Sequence, residues 1–150
     1  MIIIIRTNSE NPDFRELVRQ LDADLSIRDG EDHSFYAQFN KIESIKHVTL
    51  AYENKIPVGC GAIKEYNEDT MEVKRMYVPF KNRGKGIATK MLTELEKWAG
   101  ELAFKKCILE TGKKQPEAIA LYKKNGYRVI PNYGQYKNVE NSICFEKDII

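Results

Sequence analysis

Apolar residues follow two different spacings along this chain. Short segments alternate apolar and polar positions, or run apolar for a few residues, which is typical of strands, and longer segments repeat apolar residues every three or four positions, which is typical of amphipathic helices. Strands are predicted at 2–6, 47–52, 56–63, 71–78, 106–110, 127–130 and 142–146. Helices are predicted at 14–25, about 34–42, 87–102 and 116–124.

The connections between these segments predict the topology. The short turn at 53–55 makes its two strands antiparallel, whereas the helices that begin near Gly86 and Pro116 should connect strands that run parallel or nearly so. Gly59 and Gly61 lie within a strand, where they indicate a bulge or a close approach by another backbone. We therefore expect a single α/β domain over 1–150, with one mixed, mostly antiparallel sheet of six or seven strands and helices on both faces.

Composition and charge exclude several classes of protein. The net charge of +2, from 24 basic and 22 acidic residues, is too small to argue for a nucleic-acid or membrane partner. The run of isoleucines at 2–5 is too short for a signal peptide or a membrane span. Cys60, Cys107 and Cys144 are far apart in apolar runs, so we expect buried, reduced thiols, no metal site and a cytoplasmic location.

The loop between the strand at 71–78 and the long helix after it has the composition of an anion site. Gly84 and Gly86 allow a tight turn and a close approach by a ligand, and Lys81, Arg83 and Lys85 add positive charge. The helix N-terminus supplies unpaired N–H groups and the positive end of the helix dipole. The loop is neither a Walker A motif nor GxGxxG, and taken alone it also fits an ordinary solvated turn.

Two sequence blocks carry a resemblance to a known family. The segment from Arg83 to Ala88 (RGKGIA) resembles the R/Q-x-x-G-x-G/A signature of the GCN5-related N-acetyltransferases. The second block, Leu109 to Gly112 followed by Gln115 to Tyr127, is similar to the second cofactor segment of that family and ends in its LYxKxGF/Y pattern. The resemblance implies the fold of that family and acetyl-CoA as the acyl donor, with no metal.

The resemblance also implies which residues hold the donor. The pantetheine arm would pair with the backbone of Met76, Tyr77 and Val78. The alternative is that Met76 and Val78 are only core residues, and both can be true, because the backbone can bind while the side chains pack. The pyrophosphate would be held by the backbone amides of the loop. These loop residues are Arg83, Gly84, Lys85, Gly86, Ile87 and Ala88. Many relatives carry asparagine where this chain has Gln115, so a contact between Gln115 and the cofactor is a weaker expectation.

Two residues are candidates for the chemistry. By resemblance, Tyr122 is the general acid that protonates the departing thiolate. Glu72 is the candidate base that takes a proton from the incoming amine, because it precedes Met76 by four residues and period-two spacing would place the two on one strand face. The alternatives are that Tyr122 only packs its helix onto the sheet and that Glu72 is a solvated carboxylate or pairs with Lys74.

The sequence says least about the identity of the acceptor. The first two helices and the loop before the last strand shape the acceptor cleft in the family, so Arg28, Tyr36 and Tyr133 are candidate substrate-binding residues. Acidic neighbours suit an amine and Arg28 suits a carboxylate, although the same residues also fit a solvated helix end. The leading hypothesis is acetylation of a small-molecule amine. Acetylation of a protein or peptide, or a non-catalytic acyl-CoA sensor, are the alternatives, and a homodimer is possible.

Overall fold

The computed structural model describes residues 1–29 and 44–150 of the chain. The predicted helix at about 34–42, and with it Tyr36, lies outside the described residues. The strands are β1 Ile2–Thr7, β2 His47–Glu53, β3 Ile56–Asn67, β4 Thr70–Tyr77, β5 Lys106–Gly112, β6 Arg128–Ile130 and β7 Ser142–Asp148. The helices are α1 Pro12–Asp29, α2 Ile87–Glu101 and α3 Pro116–Lys124, with short 3-10 turns at Phe80–Asn82 and Gly134–Tyr136.

Within the described ranges, the strands form one sheet of seven in the order β1-β2-β3-β4-β5-β7-β6. The pair β4–β5 is parallel and every other neighbouring pair is antiparallel. The predicted mixed, mostly antiparallel sheet is thus confirmed. Strand β7 lies between β5 and β6, so the strands joined by α3 are not direct neighbours, although both run antiparallel to β7.

Helices cover both faces of the sheet, as predicted. On one face, Phe14, Leu17 and Val18 of α1 are almost completely buried against side chains of β2 and β3. On the other face, α2 and α3 pack over the centre of the sheet in a second cluster. This cluster includes Met71, Val73, Leu92, Leu95, Tyr122 and Phe145.

The two glycines of β3 make room for side chains rather than for another backbone. A Cβ at Gly59 would lie 2.7 Å from Cε of Met91 on α2, and a Cβ at Gly61 would collide with Sδ of Met76. The predicted approach by another backbone is therefore not what these glycines accommodate, since the groups that approach are side chains. Helix α2 can lie flat against β3 only because these positions lack a side chain. The alternative prediction, a bulge, is confirmed beside Gly59, because β3 has one extra residue between Pro57 and Gly59 opposite the adjacent residues Ala51 and Tyr52 of β2.

Strand β4 contains a bulge, after which its side chains point to the opposite faces of the sheet from those that regular alternation would give. Cys60 pairs with Tyr77 and Ala62 pairs with Lys74, so two residues of β4 face the single residue Gly61. Arg75, at the bulge, has a φ of 60°. A bulge of this kind inserts one extra residue and changes the face to which later side chains point.

The bulge corrects the period-two argument for Glu72. Met76 packs in the cluster under α2 that also holds Val73, three residues earlier, which regular alternation would forbid. Glu72 is on the opposite face, where it contacts Tyr133. The expectation that Glu72 and Met76 share one strand face is therefore wrong, because the extra residue shifts the register between them.

All three cysteines are buried and unpaired, as expected. Burial raises the pKa of the Cys60 and Cys107 thiols to about 12, and that of Cys144 to about 11. They are therefore protonated and weakly nucleophilic at neutral pH. Among the described helices, none is long and apolar enough to cross a membrane.

Candidate active site

A cleft opens in the sheet where β4 and β5 separate. The two strands pair only from Thr70 to Glu72 on β4. Beyond this point β4 continues to pair with β3 as far as Tyr77, whereas β5 pairs with β7 as far as Gly112. Among the described strands, none therefore pairs with the second half of β4 on its β5 side. The predicted pantetheine-binding backbone of Met76, Tyr77 and Val78 lies along this open edge.

The cleft consists of two adjoining hollows. The loop hollow lies between the end of β4, the loop after it and the first turn of α2, and its lining includes Tyr77, Val78, Arg83, Gly84, Gly86 and Ala88. The carboxylate hollow lies between α1, β4 and β5, and its lining includes Glu72, Arg75, Glu110, Thr111 and Tyr136. Residues shared by both hollows are Leu21, Met76, Gln115, Ala118 and Tyr122.

The loop takes the conformation that its glycines predict. Gly84 and Gly86 have φ values of 83° and 79°, in the left-handed region that side chains other than glycine rarely adopt. A Cβ at either position would meet nothing within 4 Å, so both glycines border open space. Gly86 is the N-cap of α2, and no side chain caps the helix. The first N–H groups of α2 are therefore available to an anion in the loop hollow.

The basic side chains of the loop are partly committed to other groups. Nε of Arg83 donates to the carbonyl oxygen of Val78 at 2.8 Å, which fastens the loop to the end of β4. Nζ of Lys85 lies 3.0 Å from Oε1 of Glu53, in a partly exposed ion pair. The backbone amides and the helix dipole, rather than these side chains, therefore supply most of the directed attraction for an anion.

Tyr122 lies where the two hollows meet. Its ring is buried against Tyr127 and Phe145, with centroid separations of 5.7 and 6.0 Å. Among the described residues, none accepts a hydrogen bond from its hydroxyl. Burial and the negative charge of Glu110 raise the pKa of Tyr122 well above its ordinary value. The phenol therefore keeps its proton at neutral pH and is free to donate it into the cleft.

Glu72 and Tyr133 are brought together although they are 61 positions apart. The hydroxyl of Tyr133 donates to Oε2 of Glu72 at 2.6 Å, and the Tyr133 ring meets those of Tyr66 and Tyr136 edge-on. Burial and the Glu72 charge raise the pKa of Tyr133 far above its ordinary value, so this hydroxyl remains a donor. The hydrogen bond fixes the orientation of the Glu72 carboxylate at the wall of the carboxylate hollow.

Arg28 is in a different environment from the one predicted. Its guanidinium pairs with Asp24 at 3.2 Å and also with Glu117, so it connects the end of α1 to the start of α3. Asp24 and Glu117 both line the loop hollow. Two carboxylates thus already neutralise Arg28, which makes it a weak candidate for binding a substrate carboxylate. Gln115, the residue before α3, borders both hollows and makes no side-chain cap.

Sequence reasoning missed two charged residues in the cleft. Arg75 and Glu110 both line the carboxylate hollow. Glu110 was visible as a charged residue within an apolar strand, between Leu109 and Thr111. The adjacent charges Lys74 and Arg75 in the middle of a strand break the alternation, and this was the available signal for the bulge.

The residues of the cleft fit a CoA thioester. An open strand edge can pair with the amides of an extended chain, and the loop of 83–88 offers N–H groups beside empty space. Within 1–29 and 44–150, no group of three or more histidine, cysteine or carboxylate side chains could hold a metal ion. The arrangement fits the donor site of an acyl-CoA-dependent transferase.

Comparisons with known proteins agree with this class. The family model "Acetyltransferase (GNAT) family" matches residues 10–127, and the chain belongs to this family. It is an acetyl-CoA-dependent acetyltransferase. Among curated relatives, the uncharacterised N-acetyltransferase YjgM of Escherichia coli is 29% identical over 136 residues, which is 83% of this chain and 80% of YjgM.

Solved structures have the same fold. A protein from Klebsiella pneumoniae assigned as an acyl-CoA N-acyltransferase superposes with a TM-score of 0.84 at 27% identity, and the match covers 100% of this chain and 99% of that one. The PaiA N-acetyltransferase of Thermoplasma acidophilum, solved in complex with coenzyme A, superposes with a TM-score of 0.73 at 19% identity over 99% of both chains. At that identity the second likeness shows the fold alone.

Proposed function

We propose that this protein transfers the acetyl group of acetyl-CoA to a primary amine of a small molecule, with Tyr122 as the general acid. The observation that carries the proposal is that Tyr122 borders both hollows. Its phenol therefore lies between the hollow that ends at the anion-binding loop and the hollow that contains carboxylates. A proton donor is needed at this junction, since the bond to sulfur breaks there.

The donor, acetyl-CoA, is a thioester and supplies an activated acetyl group. Two segments of the chain hold this donor. Amides of the loop at 83–88 face the pyrophosphate, and the open edge of β4 at Met76 to Val78 aligns the pantetheine arm so that the thioester reaches Tyr122. PaiA, which has the same fold, was solved in complex with coenzyme A, and this agrees with a CoA thioester as the donor.

The amine approaches from the carboxylate hollow. Glu72 accepts the proton that the ammonium must lose, and Tyr133 holds the carboxylate in place by its 2.6 Å hydrogen bond. As the carbon–nitrogen bond forms and the carbon–sulfur bond breaks, the Tyr122 hydroxyl donates its proton to the sulfur, and the resulting tyrosinate takes the second proton that the nitrogen loses when it becomes an amide. The raised pKa of Tyr122 keeps the hydroxyl protonated at neutral pH, so that it can donate a hydrogen bond to the sulfur before the proton is transferred.

Amine-dependent release of the thiol tests the proposal. The full chain is incubated with acetyl-CoA and with a panel of alkylamines, amino acids, amino-acid amides and short peptides, and free thiol and acetylated product are both measured. We expect at least one small amine to produce equal amounts of thiol and acetylated amine. Acetylation of peptides alone would contradict the small-molecule assignment, and the absence of any product across the panel would contradict the transfer itself.

A further inference from the structure

Arg75 is a buried arginine with an unused hydrogen-bond donor. Its side chain is only 3% exposed, and Nη1 donates to Oδ1 of Asp22 on α1 at 2.8 Å. Its other terminal nitrogen, Nη2, is buried and has no hydrogen-bond partner among the residues that the structure describes. Cleft residues that carry a charge usually have their donors satisfied, so this nitrogen requires an explanation.

The position of Arg75 indicates where an acceptor for this donor would come from. The residue lines the carboxylate hollow together with Glu72, Glu110 and Lys74. It sits at the bulge of β4, where its φ of 60° is a conformation that residues with a side chain rarely adopt. The bulge turns Arg75 towards α1 and the hollow, whereas Met76, the next residue, packs under α2.

The other charges of the hollow suit a substrate with charges of both signs. Glu72 and Glu110 attract an ammonium group, whereas Arg75 and Lys74 attract an anion. Asp22 already balances one positive charge, but it is 47% exposed and binds only one of the two terminal nitrogens. The planar guanidinium can therefore hold Asp22 and a second carboxylate at the same time.

We propose that Arg75 selects acceptors that carry a carboxylate near the reacting amine, so that the substrate class is amino acids and related amino carboxylic acids. The inference rests on the proposed function, since it concerns the acceptor of the same transfer. Nη2 of Arg75 donates to the substrate carboxylate while the ammonium lies towards Glu72. Because Nη2 is buried, the proposal requires side chains that line the hollow to move aside on binding, and Leu21 and Leu25 are among these lining residues.

Matched acceptors test the proposal in the unaltered protein. Each amino acid is compared with its carboxamide, which keeps the amine and the side chain but removes the negative charge. We expect kcat/KM for the preferred acid to exceed that of its amide by about ten-fold or more, mainly through KM, because a charge-assisted hydrogen bond is lost. The deaminated acid should inhibit competitively against the acceptor and not against acetyl-CoA.

Variants then test whether Arg75 is the residue responsible for the preference for acids over amides. In Arg75→Gln the ratio of acid to amide should fall to about 1, since the neutral amide side chain no longer distinguishes the two, while the increase in Tm caused by acetyl-CoA is retained. Arg19→Gln is the matched control, because Arg19 is an exposed arginine of α1 that pairs with Glu16. It should leave the ratio unchanged. If Arg75→Gln does not fold, the inhibition by deaminated acids decides the question in the unaltered protein.

The outcomes separate the inference from the proposed function. Equal rates for acids and amides, or no inhibition by deaminated acids, overturn the role of Arg75 and leave the acetyl transfer standing. A preference for acids that survives in folded Arg75→Gln shows that another group binds the carboxylate, which also overturns the inference. No transfer to any amine overturns the proposed function and the inference with it.

Discussion

Tyr122 combines two properties that a buried tyrosine seldom has. Its ring is enclosed by Tyr127 and Phe145, yet its hydroxyl has no acceptor among the described residues. The neighbouring Tyr127, in contrast, donates to Oε2 of Glu96 at 2.9 Å. The two tyrosines therefore differ in their hydroxyl groups. That of Tyr127 makes a hydrogen bond within the fold, whereas Tyr122 lines the cleft.

Tyr122→Phe should reduce kcat by about 100-fold or more, because a general acid contributes an effect of this order. The Kd for acetyl-CoA should change by less than about three-fold, since the ring remains. Stability should change little, because the lost hydroxyl has no described partner. Steady-state kinetics and calorimetric titration with acetyl-CoA measure the two constants.

Tyr127→Phe is the control for this substitution. It removes a hydroxyl of the same kind outside the hollows, so kcat should stay within about three-fold of the unaltered value. A Tyr122→Phe variant that turns over as fast as this control would refute the general-acid role.

Glu72→Gln should change the pH dependence of the reaction. Without a base, only amine that is already neutral in solution can react, so kcat/KM should fall by about 100-fold at pH 7 and then rise with pH towards the pKa of the amine, about 10.4 for a lysine-like ammonium. The rate of the unaltered enzyme should level off at a lower pH. Tyr133→Phe keeps the carboxylate and removes only its donor, so it should have a smaller effect. Parallel pH profiles for Glu72→Gln and the unaltered enzyme would show that Glu72 is not the base.

Individual site residues could be predicted from the sequence only where a motif fixes the spacing. Gly84 and Gly86 lie in one short block, and Tyr122 lies in a second block, and each block resembles a motif of a known family. Arg28 was assigned from its place at the end of the first helix and from its charge, whereas its pairing with Asp24 and Glu117 depends on how α1 meets α3. No local pattern contains that information.

At the scale of elements, the sequence predicts most boundaries to within two residues. Helix α3 has the predicted bounds, because Pro116 begins it and Gly126, with a φ of 90°, follows its end. Strand β3 extends four residues beyond the predicted end at 63, since its polar segment gains hydrogen bonds from β4 and needs no apolar side chains. The bulge in β4 was missed because period-two reasoning assumes an uninterrupted ladder.

The proposal that acetyl-CoA binds where the loop meets α2 can be tested by filling the loop hollow with a larger side chain. Ala88 lies in the first turn of α2 and borders this hollow. Ala88→Leu should weaken acetyl-CoA binding by about ten-fold or more, because the larger side chain occupies part of the hollow. The helix itself should be retained, because leucine has a high helix propensity. Calorimetric titration measures the affinity.

Thr93→Leu provides the comparison for Ala88→Leu. Thr93 is an exposed residue of the same helix, so a leucine there should leave the affinity for acetyl-CoA unchanged. Equal affinity in Ala88→Leu and Thr93→Leu would place the donor outside the loop hollow.

At the scale of the whole molecule, buried tyrosines and thiols link stability to pH. Burial raises the pKa of Tyr127 and Tyr133 far above the ordinary value of 10.0, and raises that of Cys60 from 9.0 to about 12. The folded chain therefore retains protons that the unfolded chain loses. The contribution of these groups to the free energy of unfolding is present in full below about pH 9, and it decreases as the pH rises above 9 to 10.

We expect the free energy of unfolding to decrease between pH 9 and pH 11, by up to about 1.4 kcal/mol per pH unit for each group that stays protonated only in the fold. Urea unfolding at a series of pH values measures this slope. Tyr127→Phe should make the slope shallower, whereas Tyr66→Phe, at a tyrosine that is 45% exposed, should leave it unchanged. A stability that stays constant to pH 11 would contradict the linkage.

The separation of β4 from β5 is the feature on which the proposed donor site depends. Hydrogen exchange of the full chain with and without saturating acetyl-CoA tests it most directly. We predict slower exchange of the backbone amides at 76–78 and 83–88 when acetyl-CoA is bound, with no change in β1 or β6. Unchanged exchange at both segments, or protection confined to another part of the chain, would contradict the assignment of this cleft as the donor site.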